Sequence, residues 1–258
     1  DMDVLMHLLT SDEPISVETS RYKLVNARLQ LDFYQDPHPP IVAAAVVSPS
    51  GPRIAGKHGT GLISVGATMK AGVDVLAMHW DVVEERAKEF GQTVSRDNWR
   101  VVGLMHLAET REKAFEDVRH GFKDWCDYLQ NTAAAPQIQV SGDDFDGYID
   151  WITNTGSAVI GTYKDAIEHI ESLVELSNGG FGNYLLFDHN WSNFANKKHH
   201  YELFSEYVIP HFKRTNVRMK ASEASMRQVR APLAQAQQEA INDFRQRHDD
   251  EMKKKRGS

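Results

Sequence analysis

Apolar residues alternate along most of the chain between two spacings, one that buries short segments on both faces and one that buries a helical stripe. IVAAAVVS (41–48), GLISVGA (61–67), WRVVGLMHLA (99–108) and NYLLFDHN (183–190) are runs of small, branched and aromatic residues, the pattern of strands covered on both sides. Between them lie helical stripes. One occupies 73–90, with Val75, Met78, Val82, Val83 and Phe90 on one side, and another 111–130, with Ala114, Val118, Phe122, Trp125 and Leu129. Shorter helices are expected at 54–58, 145–154 and 199–212, and at 162–176, where Thr162 and Asp165 have capping-box spacing. Strand following helix following strand predicts crossover units and a parallel sheet, hence an α/β fold.

The ends differ from this body. Val4, Leu5, Leu8 and Leu9 have helical spacing with no cap before them, which reads as a sequence entered in mid-helix. A short strand is expected at 22–24, and 131–144 reads as an insertion. From Ala221 onward the chain is polar and helical, with Met226, Val229, Leu233, Ala236, Ala240 and Phe244 as a thin stripe and Pro232 inside it. Such a stripe packs on its own domain or on a second subunit, so a homo-oligomer is expected. The organisation expected is a domain over 1–215 and a helical extension over 216–258 with a disordered basic end.

Composition narrows the function classes. The 258 residues are 41% hydrophobic, enough for one large core. A formal charge of −7 argues against a nucleic-acid surface, and the one basic block, Lys253 to Arg256, is terminal. One cysteine, Cys126, excludes an internal disulfide framework. No apolar run reaches the roughly 18 residues of a membrane span. No leader pattern is visible in the first residues, and a cytoplasmic location is expected.

The chemistry concentrates at strand ends. In SPSGPR (48–53), Ser48 and Ser50 offer hydroxyls, Gly51 permits close backbone approach, and Pro52 fits a first helical turn. Arg53 and Lys57 add charge. A helix start of this kind can cradle a phosphate, and Ser50 or Gly51 can equally be a plain helix cap. His106 ends the third strand and reads as structural or catalytic; His79 reads as helix packing. His189, Asp188 and Trp191 follow the fourth strand, where Trp191 reads as a pocket wall, while Trp80, Trp99, Trp125 and Trp151 read as core. His199 and His200 are adjacent on a helix and point about 100° apart, so no metal is expected from them. GGFG (179–182) reads as a helix C-terminal turn. No hydrolase elbow, dinucleotide fingerprint or phosphate-binding loop occurs.

PHPPIVAAAVVSPSGPRIAGKHGTGLISVGAT, with RLQLDFYQ before it and MHLAETREKAFEDVR after it, resembles the bacterial luciferase-like flavin-dependent monooxygenases. The likeness is greatest to the limonene 1,2-monooxygenase-type subgroup, extends to about Phe212, and includes IGTYKDAIEHIESL and GGFGNYLLFDHNW. The resemblance implies a TIM (β/α)8 barrel, of which four strands, about the second half, are evident. It implies a flavin phosphate, of FMN or FAD, held by Ser48, Ser50, Gly51 and Arg53. It also implies a separate flavin reductase, O2, and an apolar substrate, a terpene such as limonene among them. Met105, His106, Asp188 and Trp191 are the expected substrate pocket, with His106 and His189 as catalytic candidates. Two other readings are an F420-dependent oxidoreductase and a non-catalytic flavin- or phosphate-binding half-barrel.

Overall fold

A computed structural model describes residues 1–67, 70–133, 140–213 and 217–256; part of the expected insertion lies outside them. The chain opens with α1 (Met2–Thr10) and an antiparallel hairpin of β1 (Ile15–Glu18) and β2 (Lys23–Ala27). Then come β3 (Val42–Ala45), α2 (Ser50–His58), β4 (Gly61–Ala67), α3 (Lys70–Val73), α4 (Leu76–Phe90), β5 (Trp99–Leu107), α5 (Arg111–Val118), α6 (Phe122–Asn131) and α7 (Phe145–Thr155). They are followed by β6 (Ala158–Gly161), α8 (Tyr163–Leu176), β7 (Asn183–Leu186) and α9 (Phe194–Leu203). A π-helical turn at Phe204–Val208, α10 (Ile209–Lys213) and the long α11 (Val217–Arg256) complete the order.

By contact the chain forms two compact units, Asp1–Phe204 and Ser205–Ser258. In the second, α11 carries Pro232 within it, and Met226, Val229, Leu233 and Phe244 are exposed along it.

β3 to β7 form one parallel sheet, so five strands stand where four were expected. β5 is its centre. Backbone groups of odd-numbered β5 residues point to one edge: Gly182 N–H donates to Trp99 O and Phe187 N–H to Gly103 O, which seats β7. The even-numbered groups point to the other edge, which carries β4 along the first half of β5 and β6 along Leu104–Leu107. β3 pairs with β4 alone, and the expectation of a strand buried on both faces over 41–48 is corrected. The strand is Val42–Ala45, with only Ala45 buried, because it lies at the sheet edge.

Two apolar clusters flank β5. Trp99 and Val101 join Ala55 of α2, Trp80 and Val83 of α4 and Leu173 of α8. Leu104 and Ala108 join Ala114 and Val118 of α5, Phe122 and Cys126 of α6, and Ile152 of α7. The buried face of α4 is Leu76, His79, Trp80, Val83 and Ala87, rotated from the expected one. His79 belongs to it because Ser64 of β4 hydrogen-bonds its Nδ1 (3.0 Å). Phe90 stays 41% exposed, with Arg86 over its ring. The single expected helix over 111–130 is two, α5 and α6, and helices begin earlier than expected at Ser50 and Phe194. At the amino ends of the strands, the GGFG turn has Gly179 and Gly180 at φ 129 and 83. Arg96 secures it, donating to the carbonyls of Ser177, Asn178 and Gly180 (3.1, 3.2 and 2.7 Å).

Candidate functional site

In a parallel sheet the carboxyl ends of all strands lie together, and the predicted site residues lie in the last residues of β5, Met105 and His106, and beyond the ends of β3 and β7. After β3, Ser50 N–H donates to Ser48 Oγ (3.1 Å), and the Ser48 hydroxyl donates to Ser50 Oγ (3.0 Å). Both side chains are exposed. The cap position of α2 is Pro49, which has no side-chain acceptor, so neither Ser50 nor Gly51 is the plain cap that sequence allowed. Arg53 is exposed one turn into the helix, whereas Lys57 is committed to Asp3 of α1 at 2.7 Å. Gly51 is buried, and a Cβ there would lie 2.2 Å from the carbonyl oxygen of Ala44. Its glycine is required by packing against β3.

The groups at this turn suit a phosphate. Two exposed hydroxyls, a helix N-terminus with its partial positive charge, and a guanidinium can each face an anion.

The end of β5 is held by histidines. β7 ends at Leu186, leaving the odd-numbered edge of β5 without a neighbouring strand beyond Gly103. His189 donates from Nε2 to Met105 O (3.0 Å), and His200 of α9 accepts at Nδ1 from Leu107 N–H (3.1 Å). Two imidazoles thus continue the ladder that β7 leaves. Burial pushes His189 down to about 4, with the backbone of Met105 opposing and His106 adding repulsion. Burial, then repulsion from His106 and His189, pushes His200 down to about 3. Both are neutral near pH 7, as an accepting Nδ1 requires.

His106 points its Nε2 at Asp117 Oδ2 (3.3 Å), and Asp117 also receives Lys113 and Asn196 Nδ2 (2.7 Å). Burial outweighs Asp117 and lowers the histidine's pKa, and its Nδ1 is buried without a protein partner. Met105, His106 and Trp191 are all enclosed, at 1%, 0% and 0% exposure. Trp191 is therefore core rather than a pocket wall: it packs on Phe122 and stacks on His189.

A cleft of about 540 Å³ does open beside them, between α6 and the chain leaving β7, and Asp188 and His189 line it. Its tryptophan is Trp125, with Tyr128 and Phe187 as further walls. The sequence missed these three. Trp125 and Tyr128 sit on a helix that periodicity continues without a break, and Phe187 reads as strand. It also missed His200 and Asp117 as partners of β5. The signal for Asp117 is a carboxylate at a buried helical position beside Val118. His200 gave none, since its partner is 93 residues away.

Among the described residues no group of three or more His, Cys, Asp or Glu can hold a metal ion, and no helix is long and apolar enough to cross a membrane.

No protein-family model matches the chain. It is 40% identical over 212 residues to a limonene 1,2-monooxygenase of Rhodococcus erythropolis, covering 81% of this chain and 52% of that protein. It is 31% identical over 213 residues to a 4-hydroxyprotoasukamycin monooxygenase of Streptomyces nodosus subsp. asukaensis, covering 82% and 57%. The chain thus spans about half the length of the curated relatives it matches. Among solved structures, a monooxygenase from Streptomyces bottropensis aligns with a TM-score of 0.61 at 19% identity, covering 82% of this chain and 59% of that one. The oxygenating constituent of 3,6-diketocamphane monooxygenase from Pseudomonas putida, in complex with FMN, aligns at 0.55 and 21%, covering 77% and 58%. An F420-dependent tetrahydromethanopterin reductase from Methanopyrus kandleri aligns at 0.54 and 21%, covering 82% and 61%.

Proposed function

Because this chain belongs to the luciferase-like monooxygenase family, its five parallel strands forming an arc of that family's TIM barrel, we propose that it serves a flavin-dependent monooxygenase. The reaction would place one oxygen atom of O2 into an apolar small molecule. The observation that carries this reading is the serine turn: two exposed hydroxyls, hydrogen-bonded to each other, at the N-terminus of α2 and the carboxyl end of the sheet.

FMN is the cofactor of choice, since its terminal phosphate matches those donors and a structural neighbour holds it. The F420-dependent neighbour makes a deazaflavin the second reading. When bound, reduced flavin supplies the electrons that activate O2. The chain's own residues bind and orient it. Ser48 and Ser50 would donate to the phosphate and Arg53 would balance its charge, with the Gly51 N–H as the first-turn amide of α2 left for it. The aromatic walls of the cleft, Trp125, Tyr128 and Phe187, would seat the substrate. With no dinucleotide fingerprint in the chain, a separate reductase supplies the reduced flavin. Limonene is the first substrate to try, on the strength of the relative's name.

Replacing Ser48→Ala with Ser50→Ala should weaken FMN binding by about 1–3 kcal/mol, the scale of hydrogen bonds to a charged group, and leave riboflavin unchanged. Titration calorimetry with FMN, riboflavin and F420 reads this. Equal losses for FMN and riboflavin would remove the phosphate role. Mixing with reduced FMN, O2 and limonene should give an oxygenated product; hydrogen peroxide alone would refute the monooxygenase reading.

A further inference from the structure

The cleft beyond β7 exists because β7 leaves the sheet at Leu186 and side chains of His189 and His200 satisfy β5 in its place. The chain from Phe187 onward then runs beside α6, where Gly121 N–H donates to Trp191 O. Its volume of about 540 Å³ falls among small-molecule sites, which run about 300–1,000 Å³.

Its walls are aromatic. Trp125 is fixed by stacking on Phe122 (centroids 5.9 Å) and edge contact with Trp191 (5.1 Å), so it presents a rigid face. Tyr128 and Phe187 are 57% and 55% exposed beside it, apolar surface gathered in one place. The polar side chains among them are two carboxylates, Asp124 and Asp188, which accept hydrogen bonds and donate none when ionised, with His120, His189 and Asn190. Lys197 and Tyr201 hold Asp188 (both 3.1 Å). Asp124, in the first turn of α6, has no ion-pair partner among the described contacts. Aromatic faces beside an unpaired carboxylate suit a ring with a donor head, and cation–π attraction favours a positive one.

We propose that this cleft binds an apolar ring whose head group donates a hydrogen bond, an alcohol or an ammonium, and that it turns carboxylates away. The inference deepens the monooxygenase reading, on which it rests for calling that ligand a substrate, and it favours a ring bearing such a head group over limonene, which has no donor.

The test uses the full chain without flavin and three probes sharing one ring: 2-naphthylmethylammonium, 2-naphthylmethanol and 2-naphthoate. Calorimetry and tryptophan fluorescence should show the ammonium binding tightest, and naphthoate about tenfold or more weaker than the ammonium. Trp125→Ala should abolish binding. Tyr128→Ala, at an exposed position that leaves the core intact, should weaken all three probes several-fold. Asp124→Asn should erase most of the ammonium's advantage over naphthoate and spare the alcohol. Naphthoate binding as tightly as the ammonium, or affinities unmoved by Tyr128→Ala, would overturn the site. These arms need no flavin, so their failure leaves the monooxygenase reading standing. Normal binding with no turnover would sink that reading instead.

Discussion

Gly51 and the two serines beside it belong to one turn and do different work. A methyl at Gly51 would meet the carbonyl oxygen of Ala44 at 2.2 Å and its carbon at 2.8 Å, backbone atoms that cannot rotate away. Gly51→Ala should therefore lower stability by about 3 kcal/mol, the upper range for overpacking, seen as a lower urea midpoint at constant slope. The double serine variant should leave that midpoint within about 0.5 kcal/mol, since both side chains face solvent. A Gly51→Ala protein as stable as the original would show that the helix start can shift. The sequence placed all three residues at a strand end but could not tell a glycine that admits a ligand from one that admits a strand. Its reading of Trp191 failed for a related reason. Following a strand end says where a side chain begins, and only the fold says that Phe122 and His189 close over it.

Elements were legible where long periodic runs met proper caps. α8 is the clearest case, its Thr162 N–H donating to Asp165 Oδ2 at 2.7 Å as the spacing implied. β6 was missed because Ala158–Gly161 is four residues long and merges in sequence with the helix behind it. The break between α5 and α6 was invisible because the apolar stripe runs on across it. Gly121 marks the join, its N–H donating to Trp191 O (2.9 Å). Arg96 ties distant elements: it joins the turn before β5 to the carbonyls after α8 and lies over Trp80 and Trp99 (5.2 and 5.5 Å). Arg96→Met should cost about 2 kcal/mol, and Arg96→Lys should recover little of it, because an ammonium cannot reach three carbonyls in one plane. Urea midpoints of the two variants check this; full recovery by lysine would mean charge alone holds the turn.

For the whole molecule, buried imidazoles set the response to acid. His200 is pushed down to about 3, and His189 and His169 down to about 4, burial leading in each. Unfolded histidines take up protons near 6.5. Between that value and the folded ones the unfolded chain binds more protons, so the stability these groups lend is present above about 6.5 and lost as pH falls. Each adds a slope of about 1.4 kcal/mol per pH unit. His199, raised by Glu109, works weakly the other way because it is exposed. Thermal midpoints should drop steeply from pH 7 to 5, and a flat profile would contradict the buried neutral state. His200→Asn, which keeps an acceptor and cannot charge, should soften the drop. At this scale the α/β class and its parallel sheet were legible from periodicity. The barrel came from likeness to relatives, because an arc of five strands does not state its own closure. One feature of that arc reaches beyond stability. Where the edge of β5 is closed by two imidazoles instead of a strand, the exposed side chains of Phe187 and Asn190 beside the cleft can change without sliding any ladder out of register. The pocket's occupant can be exchanged over evolution while the frame stays put, with His189 and His200 as the fixed posts.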